Sequence, residues 1–259
     1  MAQVSLSRGR FPDADRRTTR IEIGVMLAVT FGVSAVAAVL QLADALISGL
    51  GSYRVRLNQN QSRYDLINLG LNLVSVGQLL AWGALALYLL WRSGIGPAAL
   101  GLGRVRWRSD VTGGLGLAAL IGIPGLLLYL AARHLGLNAQ VEPSALHASW
   151  WRIPVLILAA FANGFAEEVV VVGFLITRLR QLGLSQSRAV AASGVLRGVY
   201  HLYQGLGAGI GNVVMGLVFG HYWCRTGRLW PLVIAHGIID SVAFVGYVLL
   251  AGHHLAWLR

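Results

Sequence analysis

The sequence contains no lysine, a single cysteine and only 10 acidic residues in 259. Charged residues make up 12% of the chain. A soluble domain typically carries about 25% charged residues. The one cysteine, Cys224, excludes an internal disulfide and a metal cluster built from cysteines. The shortage of charge argues against an ordinary soluble domain.

Apolar residues are what the chain has in abundance, since 56% of its residues are hydrophobic. They form repeated runs of about 20 residues, the length that crosses a bilayer as a helix. We therefore predict an all-α, polytopic transmembrane bundle of seven spans, or eight if the last run breaks near Gly237. The fifth and sixth spans are short and rich in glycine, which predicts tilted or incomplete crossings. The seven predicted spans cover 22–47, 66–91, 111–132, 154–176, 187–203, 207–223 and 229–251.

The net charge of +11 comes entirely from arginines, and most of them lie in short segments between the apolar runs. This distribution indicates membrane topology rather than a surface for nucleic acid. With a cytoplasmic N-terminus, 14 of the 21 arginines fall on the cytoplasmic side, 6 fall outside and Arg197 falls inside a span. Since cytoplasmic loops carry the excess of positive residues, we predict a multi-pass protein of the plasma membrane with its N-terminus in the cytoplasm.

The chain divides into three predicted regions by the polarity of its spans. Residues 1–22 form a polar cytoplasmic segment, and 23–150 hold three supporting spans with few intramembrane polar groups. Residues 151–259 hold nearly all the unusual polar residues, so we expect the catalytic membrane domain there.

Two adjacent glutamates, Glu167 and Glu168, lie in the middle of the fourth predicted span. A carboxylate at the bilayer centre costs roughly 2.5–3.5 kcal/mol on insertion scales. The pair therefore needs buried partners, and the later spans offer them. His201 lies in one apolar run, and His236 and Asp240 lie in the last.

These residue types support two chemical schemes for amide hydrolysis. His236 and Asp240 are four residues apart and share a helix face. A carboxylate beside an imidazole can share a proton and activate water. Alternatively Glu167, His201 and His236 are a normal ligand set for a divalent metal such as zinc. Because adjacent helical residues are about 100° apart, only one glutamate is expected to serve the reaction.

Four motifs in this order resemble the CPBP intramembrane protease family, which includes type II CAAX prenyl endopeptidases and related bacterial proteins. The resemblance covers about residues 150–250. The motifs are Glu167-Glu168-x-x-x-x-Gly173-Phe-Leu, His201-Leu-Tyr-Gln-Gly, Gly211-Asn212-x-x-x-Gly216 and His236-x-x-x-Asp240.

The resemblance implies an intramembrane endopeptidase that acts on a membrane-associated peptide or protein. It implies that Glu167, with His201, activates the attacking water. It also implies that His236 and Asp240 stabilise the tetrahedral intermediate. Glu168 would be a structural or secondary motif residue, and Asn212 either packs the helix or supports the site. The resemblance leaves open whether a metal is bound.

Two departures from the family pattern concern charge. Val172 stands where the first motif usually has arginine, and Arg197 stands where the second usually has phenylalanine. Arg197 precedes His201 by one helical turn. Our hypothesis is that Arg197 supplies from the neighbouring helix the charge that Val172 lacks, with Glu168 as its partner.

Two other functions remain open from the sequence. One is a catalytically inactive relative that acts as a membrane scaffold or immunity protein, which the missing motif arginine favours. The other is a proton-relay transporter, in which the same acidic and imidazole groups carry protons. For a protease, we expect the site between spans four, five and seven, opening toward the membrane interior or the cytoplasmic leaflet.

Overall fold

The computed structural model describes residues 15–250, which are predominantly helical. Parts of the predicted terminal segments, 1–14 and 251–259, lie outside the described residues. The helices are α1 (Arg16–Val29), α2 (Phe31–Ser48), α3 (Asp65–Arg92), α4 (Trp107–His134), α5 (Arg152–Glu167), α6 (Leu175–Gln181), α7 (Gln186–Tyr200), α8 (Leu206–Thr226) and α9 (Trp230–Leu250). The strands are β1 (Arg54–Asn58) and β2 (Gln140–Ser144). A π-helical segment, Glu168–Phe174, joins α5 to α6.

Five stretches within the described residues are long and apolar enough to cross a membrane, which confirms the predicted membrane bundle. The predicted fifth and sixth spans are not among them. The fifth became α7, whose 15 residues rise only about 22 Å at the usual helical pitch. The sixth became α8, which carries a histidine and an arginine among its last six residues. The five are Phe31–Ser48, Asp65–Arg92, Trp107–His134, Arg152–Gln181 and Trp230–Leu249.

The first and last predicted spans differ in continuity. The first is broken at Thr30, whose backbone angles (φ −133°, ψ −127°) are not helical, and α1 and α2 lie on either side of it. The last runs without a break through Gly237. The condition for an eighth span is therefore not met within the described part of α9.

A two-stranded parallel sheet, absent from the all-α prediction, lies at one end of the bundle. Strand β1 follows α2, and β2 follows α4, with Val55 opposite Val141 in the register. Parallel strands need a long connection between them, and here α3 and α4 supply it. The pairing shows that the segments after α2 and after α4 lie at the same end of the molecule.

Glycines allow the helices that carry the polar residues to approach closely. A Cβ on Gly164 of α5 would lie 3.1 Å from the backbone nitrogen of Gly237 in α9. A Cβ on Gly216 of α8 would lie 2.7 Å from the Cα of Gly194 in α7. Small residues at such crossings bring backbones together inside a membrane. These two contacts bring α5 close to α9 and α7 close to α8.

A buried arginine ties the N-terminal helices to this interior. Arg178 of α6 is fully buried and pairs with Glu22 of α1 at 2.5 Å. It also donates to the Leu89 carbonyl at 2.8 Å and to the Ser93 hydroxyl at 2.9 Å, both at the end of α3. Helices α1 and α3 are thus held against the end of the span that carries the glutamates.

Candidate functional site

The glutamate pair lies where the helix changes from α to π geometry. Glu167 is the last residue of α5, and Glu168 begins the π-helical segment. The wider turn disturbs the regular ladder of carbonyl acceptors, and the Val171 carbonyl accepts from the Ser193 hydroxyl of α7 at 2.7 Å. Short π-helical insertions of this kind often occur at functional sites. Here the hydrogen bond from Ser193 holds the π-helical segment against α7, beside both carboxylates.

Glu168 is the centre of a buried ionic group. Its side chain has no solvent exposure, and Oε1 accepts from Nη2 of Arg197 at 2.7 Å. The same oxygen accepts from Nδ1 of His236 at 2.7 Å. The pairing of Arg197 with Glu168 expected from the sequence is therefore present. A fully buried carboxylate requires such charged donors, because burial without them would be very costly.

Glu167 faces a different set of donors from those of its neighbour. Its Oε2 accepts from the Tyr200 hydroxyl at 2.5 Å, and its Oε1 accepts from the Asn163 amide at 3.1 Å. Arg197 Nη1 lies 3.7 Å from Oε2, beyond hydrogen-bond distance but close enough for charge attraction. Each carboxylate oxygen of Glu167 is thus oriented by one neutral donor. The two glutamates thus have different hydrogen-bond donors, as their angular separation predicts, although Arg197 lies near both.

His201 lies directly after the last residue of α7, and its tautomer is fixed by the backbone. Its Nδ1 is 2.9 Å from the carbonyl oxygen of Arg197. Because a carbonyl only accepts, Nδ1 carries the hydrogen, and Nε2 of the neutral ring keeps its lone pair. The ring stacks beside Tyr203, with centroids 6.3 Å apart. The ring also packs against that of Tyr200, with centroids 4.7 Å apart, and the Tyr200 hydroxyl donates to Glu167.

His236 lies between two carboxylates. Nδ1 binds Glu168, and Nε2 lies 3.6 Å from Oδ2 of Asp240, one turn along α9. Asp240 Oδ2 in turn accepts from the Asn163 amide at 3.0 Å. The amide of Asn163 therefore bridges Asp240 and Glu167. Both ring nitrogens of His236 therefore face carboxylate oxygens.

The remaining predicted residues take more ordinary positions. Asn212 donates to the carbonyl of Ala208 in its own helix at 3.0 Å, a local bond typical of asparagine within helices. Within residues 15–250, Asn212 forms no hydrogen bond with either glutamate. Val172 is fully buried in the π-helical segment. Of the predicted residues, five join Glu167 in one cluster, namely Glu168, Arg197, His201, His236 and Asp240.

The predicted metal ligands are not gathered around one point. Within residues 15–250, no group of three or more His, Cys, Asp or Glu side chains is placed to hold a metal ion. Nδ1 of His236 is bound to Glu168 and Nδ1 of His201 to the Arg197 carbonyl, and metal-ligating histidines usually have outer partners of this kind. Nε2 of each ring is the atom that would bind a metal. The metal scheme therefore stays a prediction from the sequence.

Sequence reasoning missed two members of the cluster, Asn163 and Tyr200. Asn163 precedes Glu167 by four residues, so helical periodicity places both on one face of α5. Tyr200 immediately precedes His201, and its hydroxyl donates to Glu167. A search for neutral donors one turn from each buried carboxylate would have found Asn163. Tyr200 comes from another helix and had no such signal.

Comparison with known protein families matches the segment of the chain that contains the four motifs and the cluster. Residues 149–242 match the family model described as type II CAAX prenyl endopeptidase Rce1-like. Comparisons with curated proteins and with solved structures gave no match. The matched segment contains every residue of the cluster, and together with the five apolar helices it supports a membrane protease. The resemblance seen in the sequence is confirmed over residues 149–242, which are similar to the type II CAAX prenyl endopeptidases of the Rce1-like family.

Proposed function

We propose that the chain is an intramembrane endopeptidase that hydrolyses a peptide bond in a membrane-associated protein or peptide. The observation that carries the proposal is the position of Glu167. Its carboxylate is 3% exposed, is oriented by Tyr200 and Asn163, and lies near an imidazole with a free ring nitrogen. A carboxylate and a second proton acceptor held close together can take the proton of an attacking water and orient it.

The first step in this proposal is attack of water on the scissile carbonyl. A water between Glu167 and Nε2 of His201 loses a proton to the carboxylate, and its oxygen bonds to the carbonyl carbon. The carbonyl oxygen then carries the negative charge of the tetrahedral intermediate. Because His201 Nδ1–H is held by the Arg197 carbonyl, the ring cannot rotate its free nitrogen away from the water.

The negative charge of the intermediate is stabilised by His236. An imidazolium there uses Nδ1–H on Glu168 and has Nε2–H directed toward Asp240 at 3.6 Å, longer than a hydrogen bond. That proton is available to the oxyanion. In the second step the carbon–nitrogen bond breaks, and the proton held by Glu167 passes to the leaving amine. The products are a carboxylic acid, which keeps the hydroxyl of the added water, and an amine, which takes its proton.

Glu168 and Arg197 have a positioning role in this scheme. Their contact places a balanced charge pair behind His236 and fixes α7 against the π-helical segment. Asp240 orients His236 and is itself held by Asn163. Because an ionised aspartate has no proton to donate, this assignment leaves His236 as the donor to the oxyanion.

The test is cleavage of a diverse peptide library by the purified protein in lipid nanodiscs. We expect Glu167→Gln to lower the rate by about 10²- to 10⁴-fold, the usual contribution of a general base. Asp44→Asn is the matched control, because Asp44 is an exposed carboxylate of α2 outside the cluster and its variant should cleave normally. Equal cleavage by Glu167→Gln and wild type would contradict the proposal. A parallel arm with a chelator tests the metal scheme, which predicts loss of cleavage.

A further inference from the structure

The segments between helices lie at two opposite ends of the bundle. One end, which we call the strand side, comprises residues 49–64, 135–151 and 201–206. Its parts are joined by the β1–β2 pairing and by two backbone hydrogen bonds between the second and third segments. Ala139 donates to the Gln204 carbonyl at 3.0 Å, and Leu206 donates to the Leu137 carbonyl at 3.0 Å. The turn that follows His201 therefore belongs to the strand side.

The opposite end, which we call the loop side, comprises residues 93–106, 182–185 and 227–229. The indole of Trp223 donates to the Leu100 carbonyl at 3.2 Å, and that of Trp230 donates to the Gly103 carbonyl at 2.9 Å. Arg228 forms an ion pair with the buried Asp110 at the start of α4. These contacts connect the loop before α4 to the loop before α9 and close this end around packed side chains.

Exposure changes along each helix that carries the site. On α7, which ends at the strand side, His201 is partly exposed, whereas Arg197 one turn earlier has no exposure. On α9, which runs toward the strand side, the side chain of Asp240 is 18% exposed and that of His236 is 5% exposed. On α5, which begins at the strand side, Asn163 is partly exposed. In all three cases the residue nearer the strand side is the accessible one.

The path from the loop side is blocked. Every residue of the fourth span from 166 to 178, which leads from the glutamates to the loop side, is buried. On α7, the fully buried Arg197 lies between His201 and the loop side and blocks the approach from there. The partly exposed residues of the cluster, His201, Asn163 and Asp240, therefore all lie toward the strand side.

We propose that the substrate enters from the strand side and that this side faces away from the cytoplasm. The second part rests on the arginines. Of the described arginines, the strand side holds Arg54, Arg56, Arg63, Arg133 and Arg152. The loop side and its adjoining helix ends hold Arg16, Arg17, Arg20, Arg92, Arg104, Arg106, Arg108, Arg178, Arg180, Arg188, Arg225 and Arg228. The excess of positive charge marks the cytoplasmic face.

This inference rests on the proposed protease function and narrows its substrate class. The substrate is a segment that leaves the membrane on the extracytoplasmic face, such as the outer flank of a membrane span. A cytoplasmic C-terminal tail could not reach Glu167 by this route. The direction differs from the opening toward the cytoplasmic leaflet that the sequence suggested.

The test is labelling of single cysteines in intact cells with a sulfonated methanethiosulfonate reagent that does not cross membranes. The buried native thiol is first removed as Cys224→Ser. Asp240→Cys reports the site itself, and Gln204→Cys reports the turn at the strand side. Ser187→Cys is the control, since Ser187 is exposed at the start of α7 beside the loop side. Labelling in detergent shows that each variant presents a reactive thiol.

We expect Asp240→Cys and Gln204→Cys to be labelled in intact cells and Ser187→Cys only after permeabilisation. If Asp240→Cys alone is misfolded, Gln204→Cys still determines which side faces out. Labelling of Asp240→Cys only after permeabilisation, together with Ser187→Cys, would overturn the inference. So would protection of Asp240→Cys in both conditions while Gln204→Cys reacts. Because labelling needs no cleavage, failure of the protease proposal would leave this pattern unchanged and the two failures are distinguishable.

Discussion

Arg197 offers the sharpest perturbation of the buried cluster. Its guanidinium has no exposure and lies 2.7 Å from Glu168 and 3.7 Å from Glu167. At an effective dielectric constant of about 20, the attraction at the shorter distance is about 6 kcal/mol before desolvation is subtracted. Removing one partner of a buried pair typically costs about 3–5 kcal/mol, because the other charge remains buried without compensation. We expect Arg197→Leu to lose that much stability.

A loss of about 3–5 kcal/mol is large relative to the free energy of unfolding of a typical protein, which is about 5–15 kcal/mol. Thermal unfolding in detergent, with yield of folded protein as a second readout, measures the effect. Arg188→Leu is the matched control, because Arg188 is an exposed arginine at the other end of α7, and a surface change of this kind is usually within about 0.5 kcal/mol. Equal unfolding temperatures for the two variants would refute the claim that the ion pair stabilises the cluster.

The same variant tests whether Arg197 replaces the arginine that the family motif has at position 172. Val172 lies four residues after Glu168 in the π-helical segment. An arginine at this position would therefore approach the glutamates from their own segment, whereas Arg197 approaches them from α7. We expect Val172→Arg combined with Arg197→Leu to recover part of the lost stability and activity. A double variant no better than Arg197→Leu would show that the two positions are not interchangeable.

Three further predictions concern the donors and the helix packing. Tyr200→Phe should lower stability by about 1.5–3 kcal/mol, the contribution of a hydrogen bond to a charged group, and should reduce kcat more than it raises KM. In the same cleavage assay, Asn163→Leu should lower kcat, because Glu167 loses the donor on its other oxygen; an unchanged kcat would show that this amide does not position the base. Gly216→Ala should destabilise the protein by about 1–3 kcal/mol, since its Cβ would lie 2.7 Å from backbone. Gly77→Ala is its control, with nothing within 4 Å, and equal unfolding temperatures for the pair would contradict the packing account.

The sequence was informative wherever a single helix or an unpaired charge decided the structure. The spacing of His236 and Asp240 predicts their shared face on α9, where Nε2 and Oδ2 are 3.6 Å apart. The cost of an unpaired arginine in a membrane predicts a carboxylate partner for Arg197, and Glu168 provides it. Both predictions rest on local geometry or on a large energy, which is why they could be made from one sequence.

Other features depend on contacts between distant segments. The hydrogen bond from Tyr200 to Glu167 joins residues 33 apart in the chain, and no spacing rule indicates it. The β1–β2 pairing brings together Val55 and Val141, with two long helices between them. The π-helical segment has no sequence signature beyond a run of valines. Such features require the packed structure, because their partners are chosen by the whole fold.

The most direct test of the central claim compares new protein N-termini in membranes from cells that produce wild type or Glu167→Gln at equal levels. Peptide-bond hydrolysis by water creates one new N-terminus at each cleavage. The account predicts a set of new N-termini in membrane proteins that appears with wild type and is lost with Glu167→Gln. An identical set in both would contradict the claim that Glu167 is the base of a membrane protease.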